Sequence, residues 1–187
     1  MEDDLPEGGK DHALNRMVAT TVVVLSVFMA VANIKDDNLV QAMALSKSAA
    51  IDTWGEYQAT RTKAHIVDTA RVEMVLIAGD TPSAGAKAAL VRMDAESAKY
   101  ALEAPKLKAE AQAHDADYDA LNVHDDQFDM SDALISIAVS LAAVAALAET
   151  RWLLFTAWGF GACGLVMGIA GFAGWALHPN MLANFLS

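Results

Sequence analysis

The sequence predicts an all-α membrane protein with three transmembrane helices and a long antiparallel helical hairpin between the first and the second. Three observations predict this fold class. The apolar share of 55% exceeds that of ordinary soluble domains. Long uncharged runs lie near both ends of the chain, and the polar region between them follows a heptad pattern on either side of a turn signal.

The first predicted span is 17–34, after an acidic N-terminal tail at 1–16. It holds 18 positions without a charge, close to the length that crosses a hydrocarbon core of about 30 Å. A cleaved signal peptide is the alternative, since Ala30-Val31-Ala32 has the small-residue pattern of a cleavage site. The tail carries five acids against Lys10 and Arg16, which is unlike a signal-peptide start. A retained anchor is therefore favoured.

The second and third predicted spans are 133–148 and 152–177. The former has only 16 residues and is rich in alanine, whereas the latter is uncharged for 26 positions. Three residues between them force the two helices to pack antiparallel. Trp152 and Trp175 stand about 34 Å apart along such a helix, which places an aromatic residue at each membrane interface. Residues 178–187 are predicted to form an interfacial tail.

The predicted hairpin occupies 35–132 and turns at 79–85, where "GDTPSAG" gathers residues that end one helix and start the next. Pro105 should kink the downstream arm, because proline lacks the helical N–H and clashes with the preceding turn. Heptad steps along this arm define a seam facing the other arm. Its members are Ala86, Leu90, Met93, Ser97, Tyr100, Ala104, Leu107, Ala111, His114, Tyr118, Leu121, Asp125 and Phe128.

The upstream arm carries a matching seam of smaller side chains, which allows two backbones to approach closely. Trp54, Arg61 and His65 flank this seam. The motif "TWGEYQATRTKAH" at 53–65 is therefore interpreted mainly as a packing surface, with Thr53, Tyr57, Thr60 and Ala64 facing the partner arm. The whole upstream seam is Leu39, Met43, Ser46, Ala50, Thr53, Tyr57, Thr60, Ala64, Val67, Arg71, Met74 and Ala78.

Arms of roughly 43 residues reach about 65 Å, and so thin a hairpin buries little apolar surface by itself. Packing against copies of the chain or against a partner would stabilise it. The predicted interface residues on the hairpin are Thr53, Tyr57, Thr60, Ala64, Tyr100, Leu107, Tyr118 and Leu121.

A glycine face on the third span is a further predicted interface. Gly164-x-x-x-Gly168 is a motif by which lipid-embedded helices approach closely. The face packs either on the second span, which is the favoured reading, or on another chain. Its members are Gly161, Gly164, Gly168 and Gly171.

No metal site is predicted, although one acidic cluster is a candidate for divalent cations. Asp115, Asp117, Asp119 and Asp126 have part of the spacing of a calcium loop, but Ala120 replaces its glycine and the helical seam runs through it. A solvated acidic face is the favoured interpretation, and cation binding by a ring of these acids in an oligomer stays open.

Composition and motifs exclude other classes of function. A net charge of -11 argues against a nucleic-acid partner, because phosphate binding requires an excess of Lys and Arg. The single cysteine, Cys163, can form neither an intrachain disulfide nor a thiolate cluster. The predicted hairpin does not bring His65 and His114 together. With no phosphate-binding glycine loop or nucleophile elbow, we expect no enzyme, no catalytic residue and no cofactor.

The stretch from Asp36 to His65 has an Asp-Asn pair after an N-terminal span and continues as an alanine-rich helix, and two closely spaced spans follow near the C-terminal end. Within this stretch, a signature is formed by Trp54, Tyr57, Gln58, Ala59, Lys63 and His65. In these features, with the signature residues at matching positions, the chain resembles a family of bacterial membrane proteins classed as a domain of unknown function, DUF4337. The resemblance covers nearly the whole chain. It implies a bacterial membrane protein of this architecture and no particular activity.

Two functions follow as hypotheses. The first is a non-enzymatic structural or scaffolding protein of the membrane that self-associates through its hairpin and its glycine-rich third span. The alternative is an accessory subunit of a larger membrane complex, such as an energy-transducing one, with the hairpin as partner-binding arm. The expected location is the bacterial inner membrane, multi-pass and in contact with lipid. The distribution of Lys and Arg leans towards a periplasmic hairpin.

Overall fold

The structure is a computed structural model that describes residues 12–175 and 177. These residues form three α-helices, α1 (His12–Ala78), α2 (Ala84–Leu147) and α3 (Arg151–Ala173). Each helix contains a segment long and apolar enough to cross a membrane. The predicted tails lie largely outside the described residues, which leave out 1–11 and 178–187.

α1 runs for 67 residues without a break, so the predicted first span and the upstream arm belong to one helix. No glycine or proline stands near the expected boundary at residue 34, and Asn38 Nδ2 donates to Ile34 O within the helix (2.8 Å). α2 runs for 64 residues and contains Pro105 in its interior, so the downstream arm and the second span are likewise one helix.

The turn after α1 lies within the predicted 79–85. Gly79 adopts the left-handed conformation (φ 59°), which costs glycine little because it has no Cβ. The Ser83 Oγ accepts a hydrogen bond from the backbone N–H of Ala86 (3.2 Å) and so caps the first turn of α2. The chain therefore needs only five residues, 79–83, to leave one helix and start the next.

α3 ends earlier than predicted. The expected span extended to residue 177, but Gly174 has φ 67° and its N–H bonds to Ala170 O. This left-handed residue ends the helix at Ala173. Apolar composition continues past the glycine, which is why hydropathy alone placed the end too late.

The chain divides into two compact units. The three-helix unit comprises the residues up to 42 and from 120 onward, and the two-helix unit comprises Met43–Asp119. In the three-helix unit, apolar side chains of all three helices form successive core clusters. These clusters contain Leu14, Val18, Leu25, Ala32, Leu39, Phe128, Ile135, Ala138, Ala142, Ala145, Leu154 and Ala157.

The glycines of α3 lie against side chains of this same unit. A Cβ on Gly164 would lie 2.8 Å from Ile135 Cγ1 and 3.1 Å from Ser131 O, and one on Gly168 would lie 2.6 Å from the Phe28 ring. Gly161 and Gly171 are also buried. Of the two packing alternatives, the structure therefore has the one within the chain. Self-association through this face would require the helices to separate.

Candidate functional site

A polar cavity of about 540 Å³ lies in the two-helix unit. Its volume is in the range of small-molecule pockets, and both α1 and α2 contribute to its lining. α1 supplies Tyr57 and His65 of the sequence signature. The full lining is Tyr57, Arg61, Ala64, His65, Asp68, Ser97, Tyr100, Ala101, Ala104, Pro105 and Lys108.

Helical periodicity positions these side chains. Tyr57, Arg61 and His65 are four residues apart on α1, and residues at this spacing share one face of a helix. Tyr100 and Lys108 are two such steps apart on α2. From the sequence, Tyr57 and Tyr100 were predicted on the seam and Arg61 and His65 beside it, whereas Lys108 was not singled out. The spacing of Lys108 from Tyr100 suggests a shared helix face, but the sequence does not place that face beside Arg61.

Pro105 alters the backbone at this cavity. Proline has no N–H, so the carbonyl of Ala101 lacks the donor that a helix normally supplies from four residues later. Both Ala101 and Pro105 line the cavity. The cavity therefore lies beside a backbone acceptor that the helix leaves without its usual partner.

The charges on the cavity wall are mostly positive. Within residues 12–175 and 177, no ion pair or hydrogen bond joins the side chain of Arg61, His65 or Lys108 to another group. Asp68 is the lining carboxylate, and it accepts a hydrogen bond from Ser97 Oγ (2.9 Å). The side chains of the wall thus offer cationic donors together with one carboxylate that already accepts a hydrogen bond.

Trp54 anchors a second cluster in the two-helix unit. Its Nε1 donates to Asp115 Oδ2 (2.9 Å), and its ring packs edge-on against Tyr57 with centroids 5.6 Å apart. Lys47 Nζ lies 3.5 Å from Asp115 Oδ1 and 5.2 Å from the Tyr118 ring centroid. The hydrogen bond from Trp54, followed by the charge of Lys47, lowers the pKa of Asp115.

The candidate calcium-loop acids are not assembled into a ligand set. Asp115 is engaged by Trp54 and Lys47, and Asp117 and Asp119 are exposed. Asp126 belongs to the other compact unit. Across 12–175 and 177, no group of three His, Cys, Asp or Glu side chains is arranged to hold a metal ion.

A group of carboxylates that the sequence reasoning missed lies in the three-helix unit. Burial raises the pKa of Asp36 to about 6, with further contributions from the charges of Asp125, Asp129 and Asp37. Burial also raises the pKa of Asp125 and of Asp129. Within the described chain, Asp36 Oδ1 is buried and has no hydrogen-bond partner. The side chains of Asp36 and Asp125 are within hydrogen-bonding reach of each other. Ionised carboxylates only accept hydrogen bonds, so a bond between these two side chains requires a proton on one of them.

Two buried polar side chains of α2 bond to α3 and to the segment that follows it. Gln127 is fully buried, and its Nε2 donates to the carbonyls of Trp175 and Leu177 (2.7 Å each). Ser131 Oγ donates to Gly164 O (2.8 Å). Neither residue was singled out from the sequence, because polar residues at this spacing do not reveal which carbonyl they reach.

An apolar groove of about 500 Å³ lies in the three-helix unit between α1 and α3. Arg16 is the charged residue of its lining, which is otherwise apolar or hydroxyl-bearing. Trp158 Nε1 donates to Thr21 Oγ1 at this groove (2.9 Å). A cationic group beside an apolar groove suits a molecule with an apolar chain and an anionic head.

The predicted interface residues of the two-helix unit lie at buried or half-buried positions. Between residues 43 and 119, every position of both seams except Arg71 is buried or half-buried. This set includes Thr53, Tyr57, Thr60, Ala64, Tyr100, Leu107 and Tyr118. Leu121, in the three-helix unit, packs against the core cluster that contains Phe128.

These features define an all-helical protein with three candidate membrane-crossing helices and a polar cavity in its two-helix unit. A family model described as "Domain of unknown function (DUF4337)" matches residues 14–174. The chain therefore belongs to this family. No curated protein and no solved structure matches it.

Proposed function

We propose that the protein is a non-enzymatic, membrane-anchored scaffold that self-associates through its two-helix unit. The proposal places the uncharged segments of the three-helix unit in the bacterial inner membrane as a multi-pass anchor, with membrane lipid against their outer surface. The apolar groove beside Arg16 supports lipid contact. The two-helix unit is then an antiparallel hairpin on one side of the membrane, and the distribution of Lys and Arg leans towards the periplasmic side.

The order of the contacts between α1 and α2 supports the hairpin. Lys47 lies over Tyr118, and Trp54 bonds to Asp115. Further along α1, Asp68 accepts from Ser97, and Arg71 pairs with Asp94. As the residue number rises along α1, the number of the contacting residue on α2 falls, as antiparallel pairing requires.

The observation that carries self-association is the exposure of large apolar side chains on the two-helix unit. Leu76 is 76% exposed and Ile77 is 83% exposed. In a unit outside the membrane, such side chains mark a surface that another protein covers. Burying one of them fully contributes about 1.5–3 kcal/mol. The exposed set is Leu45, Ile51, Ile66, Val72, Val75, Leu76, Ile77, Val91 and Leu102.

A second copy of the chain is the proposed occupant of this surface. Ile66 and Ile77 stand three turns apart and share one face of α1, so two copies can bury both at once. The glycine face of α3 is filled within the chain. Self-association is therefore assigned to the two-helix unit and no longer to the third span.

The test is the mass of the full-length protein in mild detergent, measured by native mass spectrometry. We expect an oligomer of identical chains, which Ile66→Gln with Ile77→Gln reduces to the monomer. Glu96→Gln, an exposed change on α2, serves as the control and should leave the mass unchanged. A monomeric wild-type protein would refute the proposal. Constant co-migration of other chains would favour the accessory-subunit alternative.

A further inference from the structure

We infer that the polar cavity of the two-helix unit binds the phosphate group of a small organic phosphate between Arg61 and Lys108. Both cations lie in an acidic region, since residues 35–132 contain 18 Asp and Glu against 10 Lys and Arg. Three of these ten cations, Lys47, Arg71 and Lys99, pair with a carboxylate. What distinguishes Arg61 and Lys108 from the other unpaired cations is that both line one cavity.

Arg61 and Lys108 have no such partner within 12–175 and 177, yet they line the same cavity. Two cations that line one cavity attract an anion, whose charge offsets their mutual repulsion. A phosphate monoester carries about -1.5 to -2 charges at neutral pH, which matches two cations. A guanidinium also presents paired donors in the geometry of phosphate oxygens.

The remaining donors of the cavity suit the other phosphate oxygens. Among the described residues, the hydroxyls of Tyr57 and Tyr100 have no hydrogen-bond partner. Both residues line the cavity, and both side chains are half-buried. His65 adds an imidazole to the same wall.

The size and the acceptors of the cavity indicate an organic ligand. About 540 Å³ is far more space than a bare phosphate fills. The Ala101 carbonyl, left without a helical donor by Pro105, and the Asp68 carboxylate are both acceptors on the wall. They would accept from hydroxyl or amino groups on the organic part of the ligand. A phosphorylated polyol or amino alcohol has this chemistry, either free or as a lipid headgroup.

Isothermal titration calorimetry on the full-length protein in detergent tests the inference, which is independent of self-association. The probes are inorganic phosphate and glycerol 3-phosphate. We expect both to bind, with glycerol 3-phosphate binding more tightly. Arg61→Gln and Lys108→Gln should each weaken binding by about tenfold or more, because each removes a charge-assisted hydrogen bond. Asp68→Asn should strengthen binding of inorganic phosphate, because it removes the carboxylate that repels the anion.

Lys63→Gln and Lys106→Gln are matched controls. Both residues are exposed and lie on the same helices, but neither lines the cavity. Equal losses in these controls would mean that only general charge attracts phosphate, and would overturn the inference. Binding weaker than about 1 mM for both probes would also overturn it, as would unchanged affinity in Arg61→Gln and Lys108→Gln. Circular dichroism verifies that each variant is folded.

A competition experiment distinguishes the two sources of the ligand. Vesicles of phosphatidylcholine with phosphatidic acid are added during the glycerol 3-phosphate titration. Displacement of the probe assigns the site to a lipid headgroup, and no displacement assigns it to a soluble phosphate. Native mass measured on Arg61→Gln should show the wild-type oligomer, so failure of phosphate binding and failure of self-association are separately observable.

Discussion

Replacing Asp36 with asparagine should stabilise the protein at neutral pH. In the folded chain, burial and neighbouring carboxylates raise the pKa of Asp36 from 3.8 to about 6. Its ionised form is therefore less favourable in the folded state than in the unfolded state. Ionisation destabilises the fold above pH 6, and this penalty disappears as the pH falls towards 3.8. Stability should accordingly rise between pH 7 and pH 4.

The magnitude follows from the size of the shift. About two pKa units correspond to about 3 kcal/mol at 1.36 kcal/mol per unit. Solvent reaches part of the Asp36 side chain, and screening reduces this to about 1–2 kcal/mol. In Asp36→Asn the amide carries no charge and can donate to Asp125, which only accepts when ionised. The expected increase in Tm at pH 7 is about 2–8 °C for a chain of this length.

The assay is thermal unfolding in detergent, followed by tryptophan fluorescence at pH 7 and at pH 4. Asp36→Asn should gain stability at pH 7 and little at pH 4, where wild-type Asp36 is already protonated. Asp52→Asn is the control, because Asp52 is an exposed carboxylate of the same helix that is not among the groups that raise the pKa of Asp36. An increase in Tm of equal size at both pH values, or a decrease in Tm at pH 7, would refute the conclusion that the Asp36 charge destabilises the fold.

Three further predictions concern the glycine face, the Trp54 hydrogen bond and the buried Gln127. Gly164→Ala should destabilise the fold by about 1–3 kcal/mol, because its Cβ would lie 2.8 Å from a side chain and 3.1 Å from a backbone oxygen. Gly159→Ala, on the same helix with nothing within 4 Å, should be neutral or slightly stabilising in the same melting assay. Trp54→Phe should raise the pKa of Asp115 towards its ordinary value, observed by NMR titration, because the indole donor is lost. Gln127→Leu should lower the free energy of unfolding by about 1–3 kcal/mol, measured by denaturant titration, because two carbonyls lose their donor.

The sequence could predict what depends on periodicity and composition. The length of the uncharged runs predicted a candidate span in each of the three helices. The glycine and proline residues at 79–85 predicted the turn, where Gly79 follows the end of α1 and Ser83 caps the start of α2. The heptad pattern selected positions that are almost all buried or half-buried between residues 43 and 119. These features are local, because each depends on residues close together in the chain.

The remaining features depend on pairs that are distant in sequence. Lys108 joins Arg61 at a cavity only through the pairing of two helices, and heptad steps do not report on residues beside the seam. Asp36 meets Asp125 for the same reason. In the sequence, Gln127 is indistinguishable from an ordinary surface residue. Only the fold brings the carbonyls of Trp175 and Leu177 to its side chain.

The burial of the glycine face also decides which positions of α3 natural variation can change. Residues 161, 164, 168 and 171 face side chains of the same unit, whereas Trp152, Phe155 and Val166 point outward and are more than half exposed. Drift among homologues should therefore exchange the outward side chains freely for other apolar types. The inward positions should stay glycine or change only together with a smaller residue at the facing position.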